Sequence, residues 1–102
     1  MIIVSQDKKE IINFDNLVSI YVIESYEAKE KGVKKYNIYF ATTDEINFVI
    51  GTYETEERAK EVLIGIMQSY LDSENYKYVN QLMTAQELDR LQDGLVYEMP
   101  KE

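Results

Sequence analysis

The segment from Thr55 to Leu71 constrains this chain more than any other. Ala59, Val62, Leu63, Ile66, Met67, Tyr70 and Leu71 recur at the spacing that lines one side of an α-helix, for more than three turns. Thr55 stands ahead of them with a hydroxyl suited to accept from the free amides of a first turn. Glu56 and Glu57 place negative charge at the positive end of the helix dipole. Glu56 and Lys60 form a favourably ordered i,i+4 pair. Ile64 falls off the stripe. Gly65, about 1 kcal/mol worse than alanine in a helix interior, leaves room for a close backbone approach. A stripe this wide has to be buried, and the preceding residues supply a sheet to bury it.

Ile2-Ile3-Val4 and Glu10 to Phe14 read as two short strands around an Asp7-Lys8-Lys9 turn. Asp15-Asn16 supplies a second turn. Leu17 to Tyr26 is rich in β-branched and aromatic residues and is the longest strand candidate; a charged loop follows through Gly32. From Lys34 to Thr42 the chain alternates, with Tyr36, Ile38 and Phe40 on one face and Asn37, Tyr39 and Ala41 on the other. After a turn at Thr43-Asp44-Glu45, Ile46, Phe48 and Ile50 share a face opposite Asn47, Val49 and Gly51. These two runs predict an antiparallel hairpin with one buried side.

Residues 75–83 fit a helix through Tyr76, Val79, Leu82 and Met83, and a strand through Tyr76, Tyr78 and Asn80; helix is the reading taken. Thr84-Ala85-Gln86-Glu87 matches a capping box, with Gly94 placed to end that helix. Leu95 to Met99 reads as a last short strand stopped by Pro100. The expected architecture is α+β in one domain spanning 1–102. An antiparallel sheet of about five strands carries one long amphipathic helix on one face, then one or two short helices and a short C-terminal strand.

Composition narrows the chemistry. The 102 residues include no cysteine and no histidine, which removes disulfides, thiolate chemistry, histidine-based triads and the usual zinc ligands. The glycines at 32, 51, 65 and 94 are scattered, so no phosphate-cradling loop exists. Asp72, Glu74 and Asn75, and Asp89 with Asp93, are acidic groupings without the pattern of a calcium loop. The chain is therefore expected to be a non-enzyme without cofactor or metal. It lacks a membrane-length apolar segment and a signal-peptide start, so a cytoplasmic location is expected.

The formal charge is −8, unevenly spread: residues 1–53 carry 8 acidic and 6 basic side chains, residues 54–102 carry 11 and 5. Such a surface repels nucleic-acid phosphates and anionic membranes and favours a basic protein partner. Simple solubility explains the same excess. Nine tyrosines against three phenylalanines suggest interface side chains, because a tyrosine buries apolar area while keeping one wet end. Tyr26, Tyr36, Tyr39, Tyr53, Tyr76 and Tyr78 exceed what so small a core can hold.

Three segments carry a resemblance: Ile2 to Lys9 with Ile12 to Asn16, Gly51 to Leu63, and Tyr97-Glu98-Met99-Pro100. Together they resemble short uncharacterised proteins of Gram-positive bacteria, their phages and integrated elements. The resemblance covers about 40% of the chain, departs from it between Tyr70 and Gly94, and implies a mobile-element setting without implying an activity. Charge and setting together lead to an expected inhibitor of a host defence system, of the kind anti-CRISPR proteins represent. In that reading Asp72, Glu74, Glu87, Asp89 and Asp93 imitate phosphates in a basic groove, with Tyr76 and Tyr78 as anchors. Two alternatives stand beside it. One is an oligomeric nucleotide binder using Lys34, Lys35, Arg58 and Lys60. The other is a structural accessory protein that contacts only copies of itself, through Ile64 beside Gly65.

Overall fold

The computed structural model describes residues 1–44, 47–79 and 96–102, with the backbone alone at 76–79. In chain order the elements are β1 (Ile2–Val4), β2 (Ile11–Asn13), a 3-10 turn (Phe14–Asn16), β3 (Leu17–Glu24), α1 (Tyr26–Glu30), β4 (Tyr36–Thr42), β5 (Asn47–Tyr53), α2 (Glu56–Val79) and β6 (Val96–Glu98). The α+β class and the long helix agree with the sequence pattern. The expected short helix at 84–94 lies outside the described residues.

The strands do not form one five-stranded sheet. Among the described residues they form two three-stranded sheets, ordered β2-β1-β6 and β3-β4-β5. The second is an antiparallel meander, whereas β6 joins β1 in parallel. The break between them has a visible cause. Beyond Val4 the chain turns back through Ser5 to Glu10. The Ser5 hydroxyl donates to Asp7 (2.7 Å), the Lys9 amide donates to the same carboxylate, and Lys8 adopts a left-handed φ of 61°. The Lys9 amide and the Ser5 hydroxyl hold the Asp7 carboxyl below the usual aspartate range. Gln6 therefore meets the edge of β5 with its side chain rather than as a continuing strand. Its Oε1 accepts from the Thr52 amide (2.7 Å) and its Nε2 donates to the Thr52 carbonyl (2.9 Å). One backbone bond, Gln6 amide to Ile50 carbonyl at 2.9 Å, completes the join.

Along β4 the alternation holds, and Ile38 and Phe40 are fully buried. On β5 it breaks. Ile38 lies opposite Gly51 but Tyr39 lies opposite Val49, so Ile50 is an extra residue in a bulge. The expected faces are corrected accordingly: Gly51 shares the inward face with Phe48 and Tyr53, and Ile50 is buried as well. A Cβ at Gly51 would lie 2.8 Å from Met99 Cε and 3.0 Å from the Tyr53 ring, so only glycine fits there without displacement.

Helix α2 starts as expected. The Thr55 hydroxyl accepts from the Arg58 amide (3.1 Å), and Lys60 pairs with Glu56 (3.0 Å). Its buried face is narrower than the apolar stripe. Ala59, Val62, Ile66 and Ser73 are buried, but Met67 is 57% and Leu71 56% exposed. The helix meets β3, β4, β5 and β6. The core joins these residues to Ile3, Ile12, Ile38, Phe40, Ile50, Tyr53 and Met99, uniting both sheets beneath one helix. Gly65 is approached most closely by a side chain. Its neighbour is the Tyr97 hydroxyl, 2.8 Å from where a Cβ would stand.

Candidate functional site

The core-facing side of β3-β4-β5 lies under α2. The opposite side carries Tyr21 and Ile23 from β3, Asn37 and Tyr39 from β4, and Val49 and Thr52 from β5. Tyr21 and Tyr39 stack, with ring centroids 5.5 Å apart and planes within 11°. Ile23 and Val49 are 51% and 42% exposed. Thr52 donates its hydroxyl to Asn37 Oδ1 (2.8 Å), Asn37 Nδ2 reaches the Tyr39 hydroxyl (3.4 Å), and the Tyr21 hydroxyl donates to Asn47 (3.3 Å). The surface is thus aromatic and apolar with its polar tips fixed, a composition suited to recognition.

Helix α1 walls this face. Its sequence supplies both ends: the Ser25 hydroxyl accepts from the Ala28 amide (3.3 Å), Glu27 sits in the first turn, and Gly32 follows with φ 76°. Reading Leu17 to Tyr26 as strand and the rest as loop missed this helix, though Ser25-x-x-Ala28 closing on Gly32 was a legible signal. Between α1 and the sheet lies a cavity of 460 Å³, with Asn37, Val49 and Thr52 at its floor and Lys31 and Lys35 at its rim.

A second cleft, of 440 Å³, shares Lys35 and Thr52 with the first and extends to Arg58 and Lys101. Of the four cations expected to gather around a phosphate, the structure brings Lys35 and Arg58 together. Lys60 is held by Glu56, whose carboxylate pushes its pKa up, and Lys34 is exposed outside both cavities. Lys101 is the member that sequence reading missed. Arg58 is already engaged, with Glu61 at 3.1 Å and the Glu102 carbonyl at 2.9 Å.

That carbonyl belongs to a strap formed by the last residues. The Tyr53 hydroxyl donates to the Pro100 carbonyl (2.8 Å), Gln6 Nε2 to the Lys101 carbonyl (2.8 Å) and Arg58 Nε to the Glu102 carbonyl. Burial, with Tyr97 nearby, pushes the Tyr53 phenol up to about 12, and burial raises Tyr97 too. Both shifts move away from neutrality, opposite to what acid–base catalysis at neutral pH uses.

Of the residues expected to contact a basic groove, the structure describes the side chains of Asp72 and Glu74 alone. Asp72 and Glu74 both lie on α2, and two residues along a helix point to different sides. Asp72 is exposed while Glu74 is half-buried and has an interaction partner. Tyr76 and Tyr78 occupy helical backbone, which resolves the helix-or-strand question for 75–79. Glu87, Asp89 and Asp93 lie outside the described residues. The tyrosines divide: Tyr53 is core, Tyr36 packs against the core, Tyr26 is 74% exposed, and Tyr39 forms the outer-face pair with Tyr21.

Among the described residues no three carboxylates are grouped to hold a metal ion, and no helix is long and apolar enough to cross a membrane. Comparison with family models, curated proteins and solved structures finds no match.

Proposed function

We propose that the protein is a non-enzymatic binding protein of the mobile-element kind, which acts by covering a basic surface of a host defence protein, as anti-CRISPR proteins do. The observation that carries the binding part is the outer face of β3-β4-β5. There Tyr21, Tyr39, Ile23 and Val49 are displayed beside a walled cavity, with their polar atoms held by Asn37, Asn47 and Thr52. The net charge of −8 supports a basic partner and attraction at long range. The acidic residues Asp72, Glu87, Asp89 and Asp93 would steer the approach, and the tyrosine pair would supply the desolvated contact.

The test is capture from a Gram-positive lysate at low and moderate salt, with wild type, Tyr39→Ala and an Asp89→Lys/Asp93→Lys variant. The reading expects one stoichiometric basic protein, released by salt and lost at least tenfold by Tyr39→Ala (about 1.4 kcal/mol). Retention unchanged by Tyr39→Ala overturns the tyrosine face as the contact. Retention unchanged by the double charge reversal overturns phosphate imitation.

A second reading has its own observation. Lys35, Arg58 and Lys101 line one 440 Å³ cleft in an otherwise acidic chain, which suits a phosphate-bearing small ligand. Glu54 and Glu102 share that cleft and oppose the charge. A co-purifying nucleotide without a protein partner, lost on Lys35→Ala, would favour this reading over the first.

A further inference from the structure

We infer that the cavity between α1 and the outer face of the β3-β4-β5 sheet binds a small organic acid, a molecule with a carboxylate and a compact apolar body. This inference does not rest on the proposed protein partner. The cavity measures 460 Å³, within the roughly 300–1,000 Å³ that small-molecule sites occupy. Ala28, Val33 and Val49 give it apolar walls, and the polar groups at its floor are few. That composition suits an apolar body held by a small number of placed polar contacts.

The floor offers a donor. Asn37 lines it and is only 8% exposed, although it lies on the outer side of β4. Its Oδ1 accepts from the Thr52 hydroxyl at 2.8 Å, which fixes the orientation of the amide. Nδ2 carries two hydrogens and, among the described residues, has one contact, the Tyr39 hydroxyl at 3.4 Å, which is long for a hydrogen bond. A buried donor without a partner is costly, so an acceptor atom brought by a ligand is favoured there.

The rim offers positive charge. Lys31 and Lys35 stand there, and Glu27 is the one carboxylate among the lining residues. Both lysines belong to the stretch 29–35, where Lys29, Lys31, Lys34 and Lys35 accompany a single acidic residue, Glu30, in a chain of net charge −8. An anion is repelled by most of this molecule and drawn to that stretch. A donor at the floor and ammonium groups at the mouth call for a ligand with acceptors at both ends. A carboxylate at the rim, a ring against Val33 and Val49, and a hydroxyl or carbonyl oxygen at Asn37 meet all three demands. Free phosphate lacks the apolar body, and an amine meets Lys31 and Lys35. The neighbouring 440 Å³ cleft shares Lys35 and Thr52, but its Arg58 and Lys101 do not line this cavity, so substitution separates the two sites.

The test is titration of the full chain, labelled for amide NMR, with para-hydroxybenzoate, para-hydroxybenzylammonium and inorganic phosphate. Expected is saturable movement of the Asn37 side-chain amide together with the Ala28, Val33 and Val49 backbone amides. It should occur with para-hydroxybenzoate in the millimolar range, as suits so small a molecule, and not with the other two. Lys31→Gln should weaken binding about threefold, the effect of removing one exposed charge. Val49→Phe, at a position 42% exposed, should fill the cavity and abolish binding, while Lys101→Gln in the neighbouring cleft should leave it unchanged. A dispersed spectrum identifies each variant as folded. Absence of saturable shifts at these residues overturns the inference. Equal binding of the ammonium or of phosphate at the same residues also overturns it, because charge selection or the apolar body is then missing. Binding lost on Lys101→Gln but kept in Lys31→Gln overturns it too, placing the acid in the cleft of Lys35, Arg58 and Lys101.

Discussion

Gly65→Ala tests whether Tyr97 is seated over α2. In a solvent-facing helix the change should stabilise by about 1 kcal/mol, because alanine loses less backbone entropy than glycine. Here the new Cβ would lie 2.8 Å from the Tyr97 hydroxyl, with the ring carbons Cε2 and Cζ at 3.4 and 3.5 Å. Only the hydroxyl is too close. Its bond to the Val62 carbonyl is long, at 3.4 Å, and Tyr97 is half-buried, so the ring can retreat by a few tenths of an ångström. That retreat removes a weak hydrogen bond and some contact, about 0.5–1 kcal/mol, which cancels most of the helix gain. Gly65→Ala alone should therefore change stability by no more than about 0.5 kcal/mol. With Tyr97→Phe the hydroxyl is gone and the remaining contacts are ordinary. The same substitution should then stabilise by about 1 kcal/mol. Urea unfolding of the four proteins gives a coupling of about 0.5–1 kcal/mol between the two sites. An equal effect of Gly65→Ala in both backgrounds would refute the placement of β6 against α2.

Three other substitutions probe the join between the sheets and the helix. Gln6→Ala removes three hydrogen bonds and strands the Thr52 amide at the β5 edge; a loss of about 2–4 kcal/mol is expected in urea unfolding, whereas Lys9→Ala in the same loop should change little. Tyr53 ionises near 10 when unfolded and near 12 when folded. Its contribution should be complete below pH 10 and fall by about 2–3 kcal/mol as pH rises to 12, read as wild type minus Tyr53→Phe in alkaline unfolding. Ser73 is fully buried on α2 with an unpartnered hydroxyl, so Ser73→Ala should raise stability by about 1 kcal/mol in thermal or urea unfolding.

Local patterns were legible wherever one neighbour decides the outcome. The Thr55 cap, the Glu56–Lys60 pair, the faces of β4 and the turn at Asp7 to Lys9 all depend on residues within a few positions. What escaped depends on distant partners. The bulge at Ile50 inverts the phase of β5, and it sets Gly51 beneath Met99, a neighbour far away in sequence. The apolar stripe of α2 was read as wholly buried, yet periodicity cannot tell how much of a helix a three-stranded sheet covers; Met67 and Leu71 lie beyond its edge. At the candidate site, tyrosine abundance pointed to an interface and put Tyr39 among the rings the core cannot hold, while the side chains of Tyr76 and Tyr78 lie outside the described residues. The pair that stacks is Tyr21 with Tyr39, and only the register of β3 on β4 puts them opposite each other.

Three segments, Ile2 to Lys9 with Ile12 to Asn16, Gly51 to Leu63, and Tyr97 to Pro100, meet in one place. Gln6 comes from the first, Thr52, Tyr53 and Arg58 from the second, and Met99 and Pro100 from the third. The Gln6 side chain bonds both Thr52 and the strap, Tyr53 and Arg58 hold the strap from below, and Met99 closes over Gly51. These residues do structural work: they fasten two small sheets that share no continuous ladder. Of the outer-face residues, Tyr21, Ile23, Asn37, Tyr39 and Val49 lie outside the three segments, while Thr52 belongs both to that face and to the junction. Substitutions at the junction should therefore lower stability and leave binding below the transition unchanged, whereas substitutions at Tyr39 should weaken binding with the fold intact. A Gln6→Ala protein that unfolds more easily yet retains a partner as tightly as wild type below its transition would fit this division. A Tyr39→Ala protein that loses stability in proportion to its loss of binding would contradict it.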